Sequence, residues 1–183
     1  MKRYVLTGAP GAGKTSVLGA LQDRGFPVVK EAATDVIGQQ QGCGVAEPWQ
    51  QDDFVDRIVT LQRDRLARPP AAGAPGTAEV HDRSVLCTLA LARLLGRPVT
   101  PLLAAEVARV VAAGVYERAV FFIRPLGFIV PSAARRISYS ESLDFERLHE
   151  AAYLEHGFQV IGVGAASVAE RATLLADAIA ARG

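Results

Sequence analysis

The sequence predicts an α/β fold in which a mostly parallel sheet carries helices on both faces. Five short β-prone runs alternate with helical stretches along the 183 residues, and strands separated by helices build βαβ units. The first run enters GAPGAGKT at residues 8–15, which has the G-x-x-x-x-G-K-[ST] spacing of a phosphate-binding loop. A charged box, His81-Asp82-Arg83-Ser84, follows the third run, at the end of the sheet where doubly wound folds open their ligand crevice.

In chain order, the β-prone runs cover 4–7, 27–30, 78–81, 119–123 and 159–163. Tyr4-Val5-Leu6-Thr7 is short and apolar, like a buried strand of a parallel sheet. Helices are expected over 15–24, 49–67, 85–95, 101–113, 143–156 and 168–181. In the first of these, Val17, Leu18 and Leu21 recur at helical spacing, and Gly25 stands where a helix ends. The Gly- and Gln-rich stretch 38–48 reads as a mobile loop, and 68–78, rich in Pro, Gly and Ala, as a surface loop. Residues 125–142 lack strong periodicity and contain Arg135 and Arg136, so a lid is expected there within a single domain spanning 1–183.

Half of the residues are apolar and the net charge is +1. That charge gives no electrostatic case for nucleic acid or an anionic membrane as partner. The chain enters its first strand directly, leaving no room for a signal peptide, and no apolar run is long enough to cross a bilayer. Cys43 and Cys87 are far apart without metal-ligand spacing, which reads as free thiols in a reducing cytoplasm. His81, His149 and His156 form no recognisable metal set.

The loop motif predicts a nucleoside triphosphate as ligand. Gly8, Ala9, Pro10, Gly11, Ala12, Gly13, Lys14, Thr15 and Ser16 form the expected nucleotide-binding set. Its glycines let backbone N–H groups converge on phosphate oxygens, and the helix N-terminus adds positive potential. Lys14, expected to be exposed when the site is empty, would reach the β- and γ-phosphates, and the Thr15 hydroxyl would ligate Mg²⁺. Asp82 could hold the hydration shell of Mg²⁺ or take a proton from an attacking hydroxyl, with Arg83 beside it stabilising phosphoryl charge. The structural alternative is that Asp82 or Ser84 caps the next helix. Glu31 could hydrogen-bond an acceptor hydroxyl or merely sit at a helix N-terminus, and Asp35 reads as a solvated face. Arg124 is placed at the crevice rim, and Arg57 and Gln62 face either an acceptor pocket or water. Trp49 reads as partial core. Arg135 and Arg136 would bring guanidinium groups over the triphosphate on closure.

The segments YVLTGAPGAGKTSVLGAL, VVKEAA, HDRSVLCTLAL, VFFI and FERLHEAAYLEHGFQVIGV occur in that order. Together they resemble the AAA-type predicted ATPases of the kinase-like P-loop group. The resemblance spans nearly the whole chain and implies the fold of nucleoside and nucleotide kinases, a three-layer arrangement with a five-stranded parallel sheet of order 2-3-1-4-5. It also implies a base or magnesium role for Asp82, a phosphate contact for Arg83, and a lid arginine at Arg135 or Arg136. Sensor segments of ring-forming relatives are not seen, and neither is an N-K-x-D motif, so ATP is favoured over GTP. The leading expectation is a Mg·ATP-dependent phosphotransferase acting on a small, hydroxyl- or phosphate-bearing acceptor, a nucleoside-like one among the candidates. The alternative is an ATP- or GTP-hydrolysing binding switch without such an acceptor.

Overall fold

The computed structural model describes residues 1–69, 78–124 and 139–182. Its strands are β1 (Arg3–Gly8), β2 (Val28–Val29), β3 (Glu79–Asp82), β4 (Ala119–Ile123) and β5 (Gln159–Val163). They form one sheet in the order β2-β3-β1-β4-β5, with every pairing parallel. The helices are α1 (Lys14–Asp23), α2 (Ala32–Gly42), α3 (Phe54–Ala67), α4 (Val85–Leu94), α5 (Pro101–Ala112), α6 (Tyr139–Glu155) and α7 (Val168–Ala180).

Strand periodicity explains the three layers, because successive side chains point to opposite faces. On one face Val5 and Val120 pack with residues of α3, α4, α5 and α6. On the other, Tyr4, Leu6, Val80 and Phe121 meet Val17, Leu18 and Leu21 of α1 and Ala172, Leu175 and Ile179 of α7. Both faces being covered, β4 is apolar throughout rather than alternating. All five residues of β4 are buried.

Two local expectations are corrected. The stretch 38–48 is not a loop throughout, since α2 runs through Gly42 before a short 3₁₀ turn at Pro48–Gln50. Ala32 and Val36 bury against Phe54 and Ile58, which gives the helix an apolar face that the glutamines hid. Gly44, at φ 88°, ends it: its N–H bonds to the Gln41 carbonyl and that of Val45 to the Gln40 carbonyl. That glycine is the stop signal of a helix, not one more loop residue. Second, α3 starts at Phe54 rather than 49. The expected lid falls mostly outside the described residues, and its last four positions, 139–142, belong to α6.

The phosphate loop begins where β1 meets β4. Gly8 pairs with Ile123 at φ 138°, and a Cβ there would lie 2.3 Å from the Ile123 carbonyl oxygen. Only glycine fits this approach. Gly8→Ala is expected to cost about 1–3 kcal/mol, the scale of overpacking a tight site, read as a lower denaturation midpoint in urea.

Candidate active site

The loop leaves β1 and turns into α1 through Gly11 (φ 86°) and Gly13 (φ 89°), both left-handed. Gly13 is the N-cap of α1 and offers no side-chain acceptor. By contrast, α4, α5 and α7 are capped by the hydroxyls of Ser84, Thr100 and Ser167. An uncapped helix start with a glycine-rich approach leaves its N–H groups for an anion. Thr15 and Ser16, the next residues, are exposed.

Lys14 is folded into the loop rather than extended to solvent, which corrects the expectation of an exposed lysine. It is 8% exposed, and its Nζ donates to the carbonyls of Gly8 (3.1 Å) and Ala9 (2.9 Å). Burial first, and then the Arg83 charge, bring its pKa down to about 7, against the opposing pull of Asp82 and Glu31.

Asp82 closes β3 beside the loop, paired in register with Leu6 of β1. One carboxylate oxygen, Oδ1, is buried and has no hydrogen-bond partner among the described residues. Burial, followed by the Glu31 charge, raises its pKa above the ordinary carboxylate value, while Lys14 and Arg83 oppose the rise. Asp82 is not the cap of α4. That task falls to Ser84, whose Oγ accepts from the Leu86 N–H at 3.2 Å.

Arg83 adopts φ 70°, the only left-handed non-glycine among the described residues. Backbone strain of this kind persists where surroundings overdetermine it, and here the surroundings are specific. Its Nε lies 2.6 Å from Glu31 Oε1, its Nη1 lies 2.8 Å from His149 Nε2, and its guanidinium sits over the Phe145 ring. His149 Nδ1 contacts the Phe145 carbonyl at 2.8 Å. Desolvation, followed by the Arg83 charge, drives the His149 pKa well down, so the ring is neutral, donating from Nδ1 and accepting from Arg83 at Nε2. Burial acts to raise the Glu31 carboxyl, but Arg83 and Lys14 outweigh it and hold the group below its usual range. Glu31 precedes α2 and also accepts from Thr34 Oγ1 at 2.9 Å.

Beneath this cluster a buried polar chain ties three elements together. Thr7 Oγ1 lies 3.2 Å from Cys87 Sγ, and the Tyr153 hydroxyl lies 3.1 Å from that sulfur and 2.7 Å from Ser84 Oγ. A small cleft opens beside Asp82 and Arg83, lined also by Val29, Lys30, Ala32, Gln62, Arg65, His81 and Tyr116.

Lys14, Glu31, Asp82 and Arg83 therefore converge. Gln62 reaches the same cleft, where its Oε1 accepts from Thr88 Oγ1 at 3.0 Å. Arg57 does not line that cleft; it forms an exposed ion pair with Asp53. Arg124 stacks on Phe122 and is held by Glu146 (2.6 Å) and Glu150 (2.9 Å) of α6. Asp35, expected on a solvated face, pairs with Arg65. Trp49 packs at the edge of the α2–α3 cluster. Arg135 and Arg136 lie outside the described residues. Among the described residues no group of three His, Cys, Asp or Glu could hold a metal, and no helix is long and apolar enough to cross a membrane.

Sequence reading missed His149, Tyr153 and Arg171. The first two sit one helical turn apart on α6, a spacing that pointed at a shared face without revealing its partner. Arg171 of α7 donates from Nη1 to the Ala12 carbonyl at 2.9 Å, and nothing in its local sequence signals that contact.

The solved structures of similar shape share this architecture at low sequence identity. A NadR protein in complex with NR superposes with a TM-score of 0.72 at 16% identity, covering 96% of this chain and 51% of that one. Thus the chain spans about half of the NadR protein's length. Deoxyadenosine kinase from M. mycoides with bound dCTP gives 0.65 at 15% identity, covering 99% of this chain and 100% of that one. Shikimate kinase from Acinetobacter baumannii in complex with shikimate gives 0.57 at 11% identity, covering 100% and 94%. These likenesses establish the kinase-like P-loop fold. No curated protein sequence matches the chain. A family model described as an AAA domain matches residues 3–171, which covers most of the 183 residues and includes the loop, the Asp82-Arg83 box and Arg171. The chain belongs to this AAA-domain family, on a kinase-like P-loop fold.

Proposed function

We propose that the chain is a Mg·ATP-dependent phosphotransferase acting on a small hydroxyl- or phosphate-bearing metabolite, nucleoside-like in size. The observation that carries this reading is the buried, partnerless Oδ1 of Asp82 at the end of β3, beside an uncapped phosphate loop. Kinases for deoxyadenosine and shikimate share the fold, which supports the reaction class without naming the acceptor.

In this reading the loop N–H groups hold the phosphates, and Lys14 exchanges its two carbonyl acceptors for β- and γ-phosphate oxygens. Magnesium would be held by the Thr15 hydroxyl and Asp82. Both are hard oxygen donors of the kind it prefers, and a buried carboxylate oxygen without a partner fits that demand. When bound, the ion neutralises charge on the phosphate oxygens. In its alternative role, without the ion on its oxygen, Asp82 takes the proton of an attacking hydroxyl, for which its raised pKa suits it. Arg83, fixed by Glu31 and His149, meets charge developing on the transferring group without reorganising. Glu31 and Gln62 are assigned to the acceptor side. Arg124 is assigned to the crevice rim and Arg135 and Arg136 to charge over the triphosphate, while Arg57, paired with Asp53, is left on the solvent side. Free thiols at Cys43 and Cys87 fit a reducing cytoplasm.

The test is calorimetric titration with ATP, with and without Mg²⁺. Tight binding that weakens without Mg²⁺ is expected, and no binding in either buffer would end the proposal. Protons should move as well. Lys14 is largely neutral above its empty-site pKa of about 7, and polyphosphate restores its charge, so ATP binding at about pH 8 should take up close to one proton. Comparing binding heats in buffers of different ionisation enthalpy measures this uptake, and Lys14→Met should abolish it.

A further inference from the structure

Arg171 stands in the first turn of α7, four residues after the Ser167 cap, and is 2% exposed. Among the described residues its guanidinium makes one hydrogen bond, from Nη1 to the Ala12 carbonyl at 2.9 Å. The same nitrogen lies 3.7 Å from where a Cβ on Gly13 would stand. Among the described residues Nε and Nη2 are buried without hydrogen-bond partners, and no carboxylate pairs with the guanidinium.

Each of these features is unfavourable in the empty protein. A buried charge without a counter-charge is costly, two orphaned donors add to that cost, and a cation near a helix N-terminus opposes its dipole. Packing does not require any of it, since the neighbours on α7 that bury against α1 are Ala172, Leu175 and Ile179. The missing counter-charge is supplied once an anion occupies the loop. The seat is also firm: Arg24, the C-cap of α1, donates to Thr173 Oγ1 (2.8 Å) on the facing helix.

We propose that Arg171 is a positioning residue of the phosphate site, holding the Ala12–Gly13 peptide from behind and supplying a fixed positive charge beneath the bound anion. The inference rests on the nucleotide-binding reading above. A peptide unit is planar and trans, so its C=O and N–H point in opposite directions. Anchoring the Ala12 carbonyl on Arg171 turns the Gly13 N–H away from α7 and keeps Gly13 in its left-handed conformation.

The parent, Arg171→Lys and Arg171→Met are compared in two measurements. The first is calorimetric affinity for ATP, ADP, inorganic tripolyphosphate and adenosine. The second is amide hydrogen exchange of the loop in the empty protein. Arg171→Met keeps the side chain's length without its charge. It should weaken ATP and tripolyphosphate about tenfold or more, the scale of one charge-assisted hydrogen bond, ADP less, and adenosine not at all. Its Gly13 and Lys14 amides should exchange faster than the parent's, and Arg171→Lys should recover most of the affinity. Unchanged ATP affinity with only a lower melting temperature would reduce Arg171 to a packing residue and overturn the proposal. Equal weakening of ATP and adenosine would place it on the base or sugar instead, and would also overturn it. A parent that binds neither ATP nor tripolyphosphate would sink the nucleotide reading and the charge role with it. The brace would then be judged on exchange alone, and unchanged loop exchange in Arg171→Met would refute that too.

Discussion

Asp82→Asn is expected to lower phosphoryl transfer by roughly two orders of magnitude or more, the scale of a lost acid–base group, with the fold intact. The substitution keeps size and removes the charge. Because Ser84 and not Asp82 caps α4, the stability change should stay within about 1 kcal/mol, the scale of a cap. Neutralising a buried carboxyl whose pKa is already raised by burial adds no new penalty. The sign follows from linkage: a group with a raised folded-state pKa binds its proton more readily when folded, so its charged form costs stability at neutral pH. Asp82→Asn should thus melt no lower than the parent, while ATP binding through the loop largely survives. Ser84→Ala carries the capping loss instead. Melting temperature, ATP affinity and turnover measured on both variants separate the two residues. Full turnover in Asp82→Asn would remove the catalytic assignment.

Lys14→Ala is expected to weaken ATP binding by at least about a hundredfold, the scale of losing one partner of a buried charge pair, about 3–5 kcal/mol. In the empty protein the lysine is folded onto two loop carbonyls and its pKa is depressed to about 7. Burial works against its charge, so its removal should not lower the melting temperature much at neutral pH. A variant that folds normally and binds ATP as tightly as the parent would contradict the phosphate-loop assignment.

What was legible in the sequence was local. The strand–loop–helix of 3–23 reads directly, because glycine spacing, an apolar strand and helical periodicity all fall within one short stretch. The helix α2 did not, because Gly38, Gly42 and three glutamines weaken the pattern, and the buried Ala32 and Val36 face emerges only against Phe54 and Ile58. At the site, Asp82 and Arg83 were singled out by their place at the end of a strand. Whether Asp82 or Ser84 capped α4 depended on backbone geometry that composition does not reveal. The partners of Arg83 come from α6 and the start of α2, and that of Arg171 from the phosphate loop at the other end of the chain. Such contacts depend on topology, with no local residue pattern to announce them. Arg124 was read as a rim residue from its position after β4, and its two glutamate partners appear only when α6 packs alongside.

The central claim is transfer of a phosphoryl group to a small acceptor, and it is tested by incubating the protein with γ-labelled Mg·ATP and a pool of small metabolites. The account predicts a labelled product heavier than one metabolite by a single phosphoryl group, formed with ADP and lost in Asp82→Asn. Label released only as inorganic phosphate, at the same rate with and without the pool, would contradict it.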